Sequence, residues 1–240
     1  MYREIRRLEG RNWWFVGMRR IAEALLGEAA ARPARALDLG CGSGGNLELV
    51  SRHAGHVTAV DLSVDALRTL QGAASCCADA RALPFRPGSF GLVNLFNVIE
   101  HVADDQGTLA EISRVLAPGG VLLLATSAYP ALWSDHDEVN HHVRRYTRRE
   151  LEAKLRSAGF RVEQLTFANT ALLPPTFVVA SARRVLKRAG LLRPYQTSLL
   201  EVPPLMNTAL TWLLSAEAPL VRRGVCLPAG VSLLARVRKP

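Results

Sequence analysis

Residues 36–44 read Ala36-Leu37-Asp38-Leu39-Gly40-Cys41-Gly42-Ser43-Gly44, a short apolar run that ends on an acid and a glycine-rich turn. Ala34 to Leu39 is expected as a buried strand, and Asn46 to His53 as the helix after the turn. Such a strand, turn and helix bring backbone close to a ligand, because glycine takes positive φ and puts no Cβ in the way. Alone, the turn has two readings. Gly40, Gly42 and Gly45 also satisfy a Gly-x-Gly-x-x-Gly dinucleotide pattern, with Asp61 near the distance of a ribose-binding acid.

Three acids separate the readings. Asp38 precedes the glycines, where a carboxylate suits a cationic ligand end and would repel a pyrophosphate. Asp61 closes the next strand, Val57 to Asp61, and can accept from both hydroxyls of a ribose. Asp79 follows a third strand, Ser75 to Ala78, where it can accept the exocyclic amine of an adenine among apolar neighbours. Acids at three successive strand ends mark the carboxyl edge of a doubly wound sheet.

The rest of the chain continues the alternation of strand and helix. Arg19 to Ala31 reads as a leading helix, and Ser63 caps a helix running to about Gln71. Phe90 to Phe96 is a fourth strand, followed by a helix from about Gln106 to Leu116. Pro118-Gly119-Gly120 turns the chain into a fifth strand, Val121 to Thr126. Thr147 and Glu150 form a capping box for a helix that ends at Gly159. Phe160 to Phe167 and Val231 to Val237 supply the sixth and seventh strands. About 60 residues separate these two, more than a parallel-sheet connection needs.

Composition narrows the setting. The 240 residues are 49% hydrophobic, enough for one sizeable core. No run reaches the ~20 uninterrupted apolar residues of a membrane-spanning helix, Phe167 to Ala182 coming nearest but broken by Pro174-Pro175, and Met1 to Arg11 lacks the apolar segment of a secretory signal. Cys41, Cys76, Cys77 and Cys226 match no disulfide framework or zinc pattern, so a reduced, cytoplasmic protein is expected. The net charge of +9 divides unevenly: residues 1–140 carry 13 Lys/Arg against 16 Asp/Glu, and residues 141–240 carry 17 against 5. That excess fits an anionic partner or membrane surface, and equally a solvated basic face.

The segments 36–44, Val60-Asp61-Leu62-Ser63, Asp79 to Phe85, Asn97-Val98-Ile99-Glu100-His101-Val102 and Leu116-Ala117-Pro118-Gly119-Gly120 together resemble the class I S-adenosylmethionine-dependent methyltransferases. The likeness is greatest to those related to ubiquinone and menaquinone biosynthesis, and covers roughly residues 33 to 127. The resemblance implies an α/β, Rossmann-like fold: a doubly wound, seven-stranded, mostly parallel sheet with a helical insertion before the last strand. It implies S-adenosyl-L-methionine as cofactor, held by Asp38, Gly40, Gly42, Ser43, Gly44, Asp61, Leu62, Asp79, Ala80 and Asn97. Some relatives bind a metal through Glu-x-x-Glu-His. Here Asn97 stands at the first Glu, so no metal is expected. One domain spans 1–240, with a helical lid at 1–32, the cofactor-binding core at 33–167, a helical cap at 168–228 and the last strand at 229–240.

The acceptor side is expected in Trp133 to Tyr146, after the fifth strand. This stretch, with Trp13-Trp14-Phe15, resembles bacterial methyltransferases that accompany cell-envelope glycosyltransferases. His141 or His136 can act as a base, His142 being a further candidate. Trp133, Arg144, Arg145 and Tyr146 can hold an acceptor's anionic or polar groups. The alternative is that Asp137 and the arginines pair to fix the loop. Trp13, Trp14 and Phe15 form either a lid or a docking helix. The expected activity is methyl transfer, on oxygen, to a small-molecule, lipid or saccharide acceptor. Peripheral contact with the inner membrane surface through the basic half competes with simple core packing. A nucleic-acid acceptor is not expected, since Asn97-Val98-Ile99-Glu100 lacks the Pro-Pro-aromatic pattern used on exocyclic amines. An NAD(P)-dependent oxidoreductase and a non-catalytic S-adenosylmethionine-binding module are the remaining alternatives.

Overall fold

The structure, a computed structural model, describes residues 2–27, 32–70, 72–191 and 202–240. Seven strands form one sheet: β1 (Arg35–Leu39), β2 (His56–Asp61), β3 (Ala74–Cys77), β4 (Phe90–Phe96), β5 (Leu116–Ser127), β6 (Arg161–Ala168) and β7 (Ser232–Arg238). Their order across the sheet is β3-β2-β1-β4-β5-β7-β6. β7 runs antiparallel to both its neighbours and the other pairs are parallel. The doubly wound, mostly parallel sheet is thus as expected. Central β4 and the Leu122–Ala125 part of β5 are almost wholly enclosed, which is why their sequences are continuous apolar runs instead of alternating ones.

Helices α1 (Tyr2–Glu9) and α2 (Trp13–Leu26) precede the sheet. The leading helix therefore begins at Trp13, six residues before the expected Arg19, and the expected end at 28–31 lies outside the described residues. The Asn12 side chain accepts from Trp14 N and caps it. Trp13 and Trp14 pack partly buried on the core, as a docking helix would place them. After β1 come α3 (Leu47–Arg52) and, after β2, a single turn, α4 (Val64–Leu67). Ser63 caps α4 as expected, but the helix stops well before Gln71, which lies outside the described residues.

Helix α5 (Asp105–Val115) leads into β5. Pro118-Gly119-Gly120 does not interrupt β5. The triplet lies inside the strand, Gly119 taking φ of +75°, opposite a register irregularity between Phe90 and Leu92. Beyond β5 lie a short helix, α6 (Asp135–Val139), and α7 (Arg148–Ser157), where Thr147 Oγ1 accepts from Glu150 N at 3.2 Å.

The described parts of the long connection between β6 and β7 carry three helices: α8 (Leu173–Arg188), α9 (Pro204–Ser215) and α10 (Ala218–Arg222). These helices go to two places. α8 is bound to the loop after β5, whereas α9 packs along α2. A Cβ on Gly17 would stand 2.6 Å from Leu214 Cγ and 2.9 Å from its Cβ, so the two helices touch because Gly17 has no side chain.

That contact is testable. Gly17→Ala gains about 1 kcal/mol of helix propensity, yet should lower urea stability by about 1–3 kcal/mol through overpacking. Adding Leu214→Ala should recover part of the loss relative to Leu214→Ala alone. Strictly additive effects would remove the contact from this account.

Candidate active site

β1 connects to β2 and β3 on one side, while β4 lies on the other, so the chain reverses direction between the ends of β1 and β4. Ligands of doubly wound sheets bind in that crevice. The glycine turn sits there. Gly40 N and Cys41 N both donate to Val60 O, at 2.7 and 3.0 Å, tying the turn to β2. Gly40 has φ of +71°, and a Cβ there would lie 2.1 Å from a methyl carbon of Val98, just past β4. Only glycine fits.

Asp38 and Asn94 face each other in the β1–β4 register, and Asn94 Nδ2 donates to Asp38 Oδ1 at 2.6 Å. Asp38 is 1% exposed, and its Oδ2 has no hydrogen-bond partner. Burial raises its pKa from the ordinary 3.8 to about 7, and Glu9 and Asp61 add to the rise while Asn94 opposes it. Glu9 was not anticipated from the sequence. It ends α1, and a Cβ on Gly45 would fall 2.5–2.9 Å from its carboxyl atoms, so its carboxyl group lies against the glycine turn. Arg19 Nη2 donates to the Glu9 carbonyl at 2.5 Å and holds that end of α1. Burial raises the Glu9 pKa as well. Two carboxyl groups beside an open glycine turn, one with an unsatisfied oxygen, fit a ligand with a cationic end.

Asp61 uses both oxygens on backbone: Oδ2 accepts from Gly42 N and Oδ1 from Ser63 N, each at 2.8 Å. Each oxygen retains a lone pair, so hydroxyls can still bind. The neighbouring Leu62 side chain is 70% exposed. Asp79 lies two residues past β3 and is engaged by Arg81, whose Nε and Nη2 donate to its two oxygens. That hydrogen bonding lowers its pKa to about 2. Ala80 is half-buried beside it. Asn97, at the end of β4, takes φ of +52°. The non-glycine residues with positive φ among those described are Asn97, Tyr129, His141 and Asn169. All follow the carboxyl ends of β4, β5 or β6, and such strain gathers at functional edges.

In the loop from Trp133 to Tyr146, fully buried Asp137 is the hub. Its Oδ1 accepts from Arg145 Nε at 2.7 Å and meets His142 Nδ1 at 2.8 Å, and its Oδ2 accepts from Ser134 N at 2.8 Å. These bonds outweigh burial and hold its pKa below the usual carboxylate range. Asp105, the first residue of α5, accepts from Arg144, Tyr146 and Lys154, each at 2.9 Å. Tyr146 is fully enclosed with its hydroxyl on Asp105, and Arg145 is buried on Asp137 and the Ala128 carbonyl. Arg144 pairs with Asp105, not Asp137, and the half-buried Trp133 receives Arg184 on its carbonyl. His141 and His136 are exposed. The imidazole fixed by a carboxylate is His142, which packs edge-on to His101 at 4.6 Å. Partial burial and His142 lower the His101 pKa to about 4. Among the described residues no group of three or more His, Cys, Asp or Glu side chains is arranged for a metal.

The chain is similar to known proteins in sequence and in fold. Residues 37–124 match the methyltransferase domain family. Over 183 residues the chain is 36% identical to malonyl-[acyl-carrier protein] O-methyltransferase of Enterobacter lignolyticus, covering 72% of this chain and 71% of that protein. It is 29% identical over 155 residues to a ubiquinone biosynthesis O-methyltransferase of Xanthomonas euvesicatoria, covering 55% and 65% of the two chains. Two further curated relatives are spanned over only 52% and 39% of their length. The fold recurs in an S-adenosylmethionine-dependent methyltransferase of Mesorhizobium loti, with a TM-score of 0.57 at 18% identity over 90% of this chain and 95% of that one. It recurs also in geranyl diphosphate methyltransferase, with a TM-score of 0.59 at 17% identity over 94% and 85%. The chain belongs to the class I S-adenosylmethionine-dependent methyltransferases. It is an enzyme of that class, and S-adenosylmethionine is its cofactor.

The buried Asp38 makes the fold sensitive to pH. Its pKa rises from 3.8 to about 7 on folding, so the folded chain holds the extra proton within that window. The associated stability is full below about pH 4 and is lost as pH rises through about 7, by at most about 1.4 kcal/mol per pH unit. Urea melts of Asp38→Asn between about pH 5 and pH 8 should lack this component of the wild-type slope. Parallel wild-type and variant curves would show that Asp38 is ionised throughout.

Proposed function

We propose that this methyltransferase acts on an oxygen atom of a small-molecule, lipid or saccharide acceptor bound at the carboxyl edge beside the Trp133 to Tyr146 loop. The observation that carries this reading is the Asp137–His142 pair. A hydroxyl nucleophile must lose a proton, and a carboxylate on Nδ1 orients the imidazole so that Nε2 can take it. This assigns the base to His142 in place of His141 or His136. Similarity to proteins named as O-methyltransferases supports the same atom. A nucleic-acid acceptor finds no support in the residues after β4.

When bound, S-adenosylmethionine supplies an electrophilic methyl group on its sulfonium. We assign its methionine end to Asp38 and Glu9, its ribose to Asp61, and its adenine to Asp79, Ala80 and the exposed face of Leu62. Gly40, Gly42, Ser43 and Gly44 bring the backbone near, and Asn97 lines the crevice. The protein's own contribution is orientation, exclusion of water and removal of the acceptor proton. We place the enzyme in the cytoplasm, a reading that the four free cysteines support.

Two experiments test this reading. Methyl-labelled S-adenosylmethionine incubated with fractionated extracts should label a low-mass or lipid fraction through an O-methyl linkage. His142→Gln should lower kcat about 10²–10⁴-fold, while His141→Ala keeps it. Labelled nucleic acid, or an unchanged kcat in His142→Gln, would defeat it. For the cofactor, Glu9→Gln should weaken S-adenosylmethionine about tenfold, as expected for losing ~1.4 kcal/mol of charge-assisted bonding. Methylthioadenosine, which has no amino-acid end, should bind Glu9→Gln as it binds the wild type. Equal losses for both ligands would mean that Glu9 acts on the fold and not on the methionine end.

A further inference from the structure

Fifteen large hydrophobic side chains are exposed among the described residues, and twelve of them lie between Phe177 and Val225. Single exposed apolar residues need no explanation, but such a concentration does. Helix α9 contains no charged residue. Its inner side is accounted for: Leu214 is buried against Gly17, while Asn207 accepts from Trp13 N and donates to the Arg11 carbonyl. Its outer side carries Leu205, 87% exposed, and Trp212, 73% exposed. Seven residues separate them, two helical turns, so they share one face.

Helix α8 is built the same way. Its inward cations are committed, Arg183 and Lys187 to Asp135 and Arg184 to the carbonyls of Ala131 and Trp133. Val178 and Val185, also seven apart, are 64% and 65% exposed on its outer side.

The chain from residue 170 onward is strongly basic. Residues 170–240 contain ten Lys/Arg and two Asp/Glu. Of the two acids, Glu217 is buried and accepts from Asn169 N and Thr170 N, and Glu201 lies outside the described residues. Arg188, Arg222 and Arg223 are exposed at the helix ends. No described helix is long and apolar enough to cross a membrane.

We propose that the outer faces of α8 and α9 dock on a membrane surface that bears anionic phospholipid. Trp212, Leu205, Val178 and Val185 enter the interface, and Arg188, Arg222 and Arg223 meet the headgroups. An apolar helix face flanked by cations matches both layers of such a surface, the acyl boundary and the phosphate plane. A protein partner would need its own apolar patch ringed with acids. The bilayer supplies the combination without further specification. The site is placed to profit, since α8 starts beyond the carboxyl end of β6 and α9 is bonded to the first turn of α2. This docking does not depend on the choice of acceptor.

The test is co-sedimentation of the full chain with vesicles of phosphatidylcholine alone and of phosphatidylcholine mixed equally with phosphatidylglycerol. The chain should bind the mixed vesicles, leave the neutral ones and be released by high salt. Arg222→Ser with Arg223→Ser should weaken binding about fivefold per charge removed. Leu205→Ser with Trp212→Ser should weaken it about tenfold or more, with S-adenosylmethionine affinity unchanged as the check on folding. If the apolar pair fails to fold, the arginine pair and the salt dependence decide. Failure to bind, or equal binding to both vesicles, overturns the proposal. So does a dimer in sedimentation velocity that the Leu205→Ser, Trp212→Ser variant converts to monomer, because the face would then be covered by a second copy.

Discussion

The carboxyl group of Asp38 is shut away from water between β1 and β4, with a single hydrogen bond from Asn94. Burying an acid in this way is costly, and burial raises its pKa from 3.8 to about 7. The arrangement requires β1 and β4 to be neighbours in register, which is the reversal point of the doubly wound sheet. It requires glycine at position 40, because Val98 from the end of β4 fills the space a side chain would take. It also requires the turn to be tied to β2, which Asp61 does through Gly42 N. One enclosed carboxyl group therefore links three strands and the turn between them.

A second set of buried acids braces the other half of the edge. Asp137 holds Arg145, His142 and the backbone of Ser134, and Asp105 holds Arg144, Tyr146 and Lys154. Fully buried Glu100 accepts from Thr126 Oγ1, and its carbonyl accepts from Val143 N. Each carboxylate has partners, the condition under which buried charge is tolerated. The loop after β5 is consequently joined to β4, α5 and α7 below, and through Asp135 to α8 above. The loop after β5 is thus a braced wall at the carboxyl edge of the sheet.

Much of the core was legible because its signals are local. β4 coincides with its apolar run, and β1 and β2 lie within one residue of theirs, since each run is bounded by turn residues. Ser63 and Thr147 cap helices because the side chain and the amide it serves are three residues apart. The start of α2 was missed because Trp13-Trp14-Phe15 is apolar without a helical period, and only docking against the core gives it one. Pro118-Gly119-Gly120 reads as a turn by residue type, yet the strand runs through it, Gly119 and Gly120 sharing backbone hydrogen bonds with Lys239 just past β7.

The sequence by itself determined the methyl-donor fold: an apolar strand, a turn that only glycine can make, and acids at successive strand ends are short-range patterns. Only the tertiary structure decided which side chains of the loop face inward. His141 and His142 are adjacent and chemically equal as sequence, but the left-handed backbone at His141 turns the next imidazole onto Asp137. Glu9 likewise reaches Gly45 across 36 positions only because α1 folds back over the turn. The glycine-rich stretch announces a cofactor from local geometry. What lies over it depends on packing between distant segments, which no local pattern records.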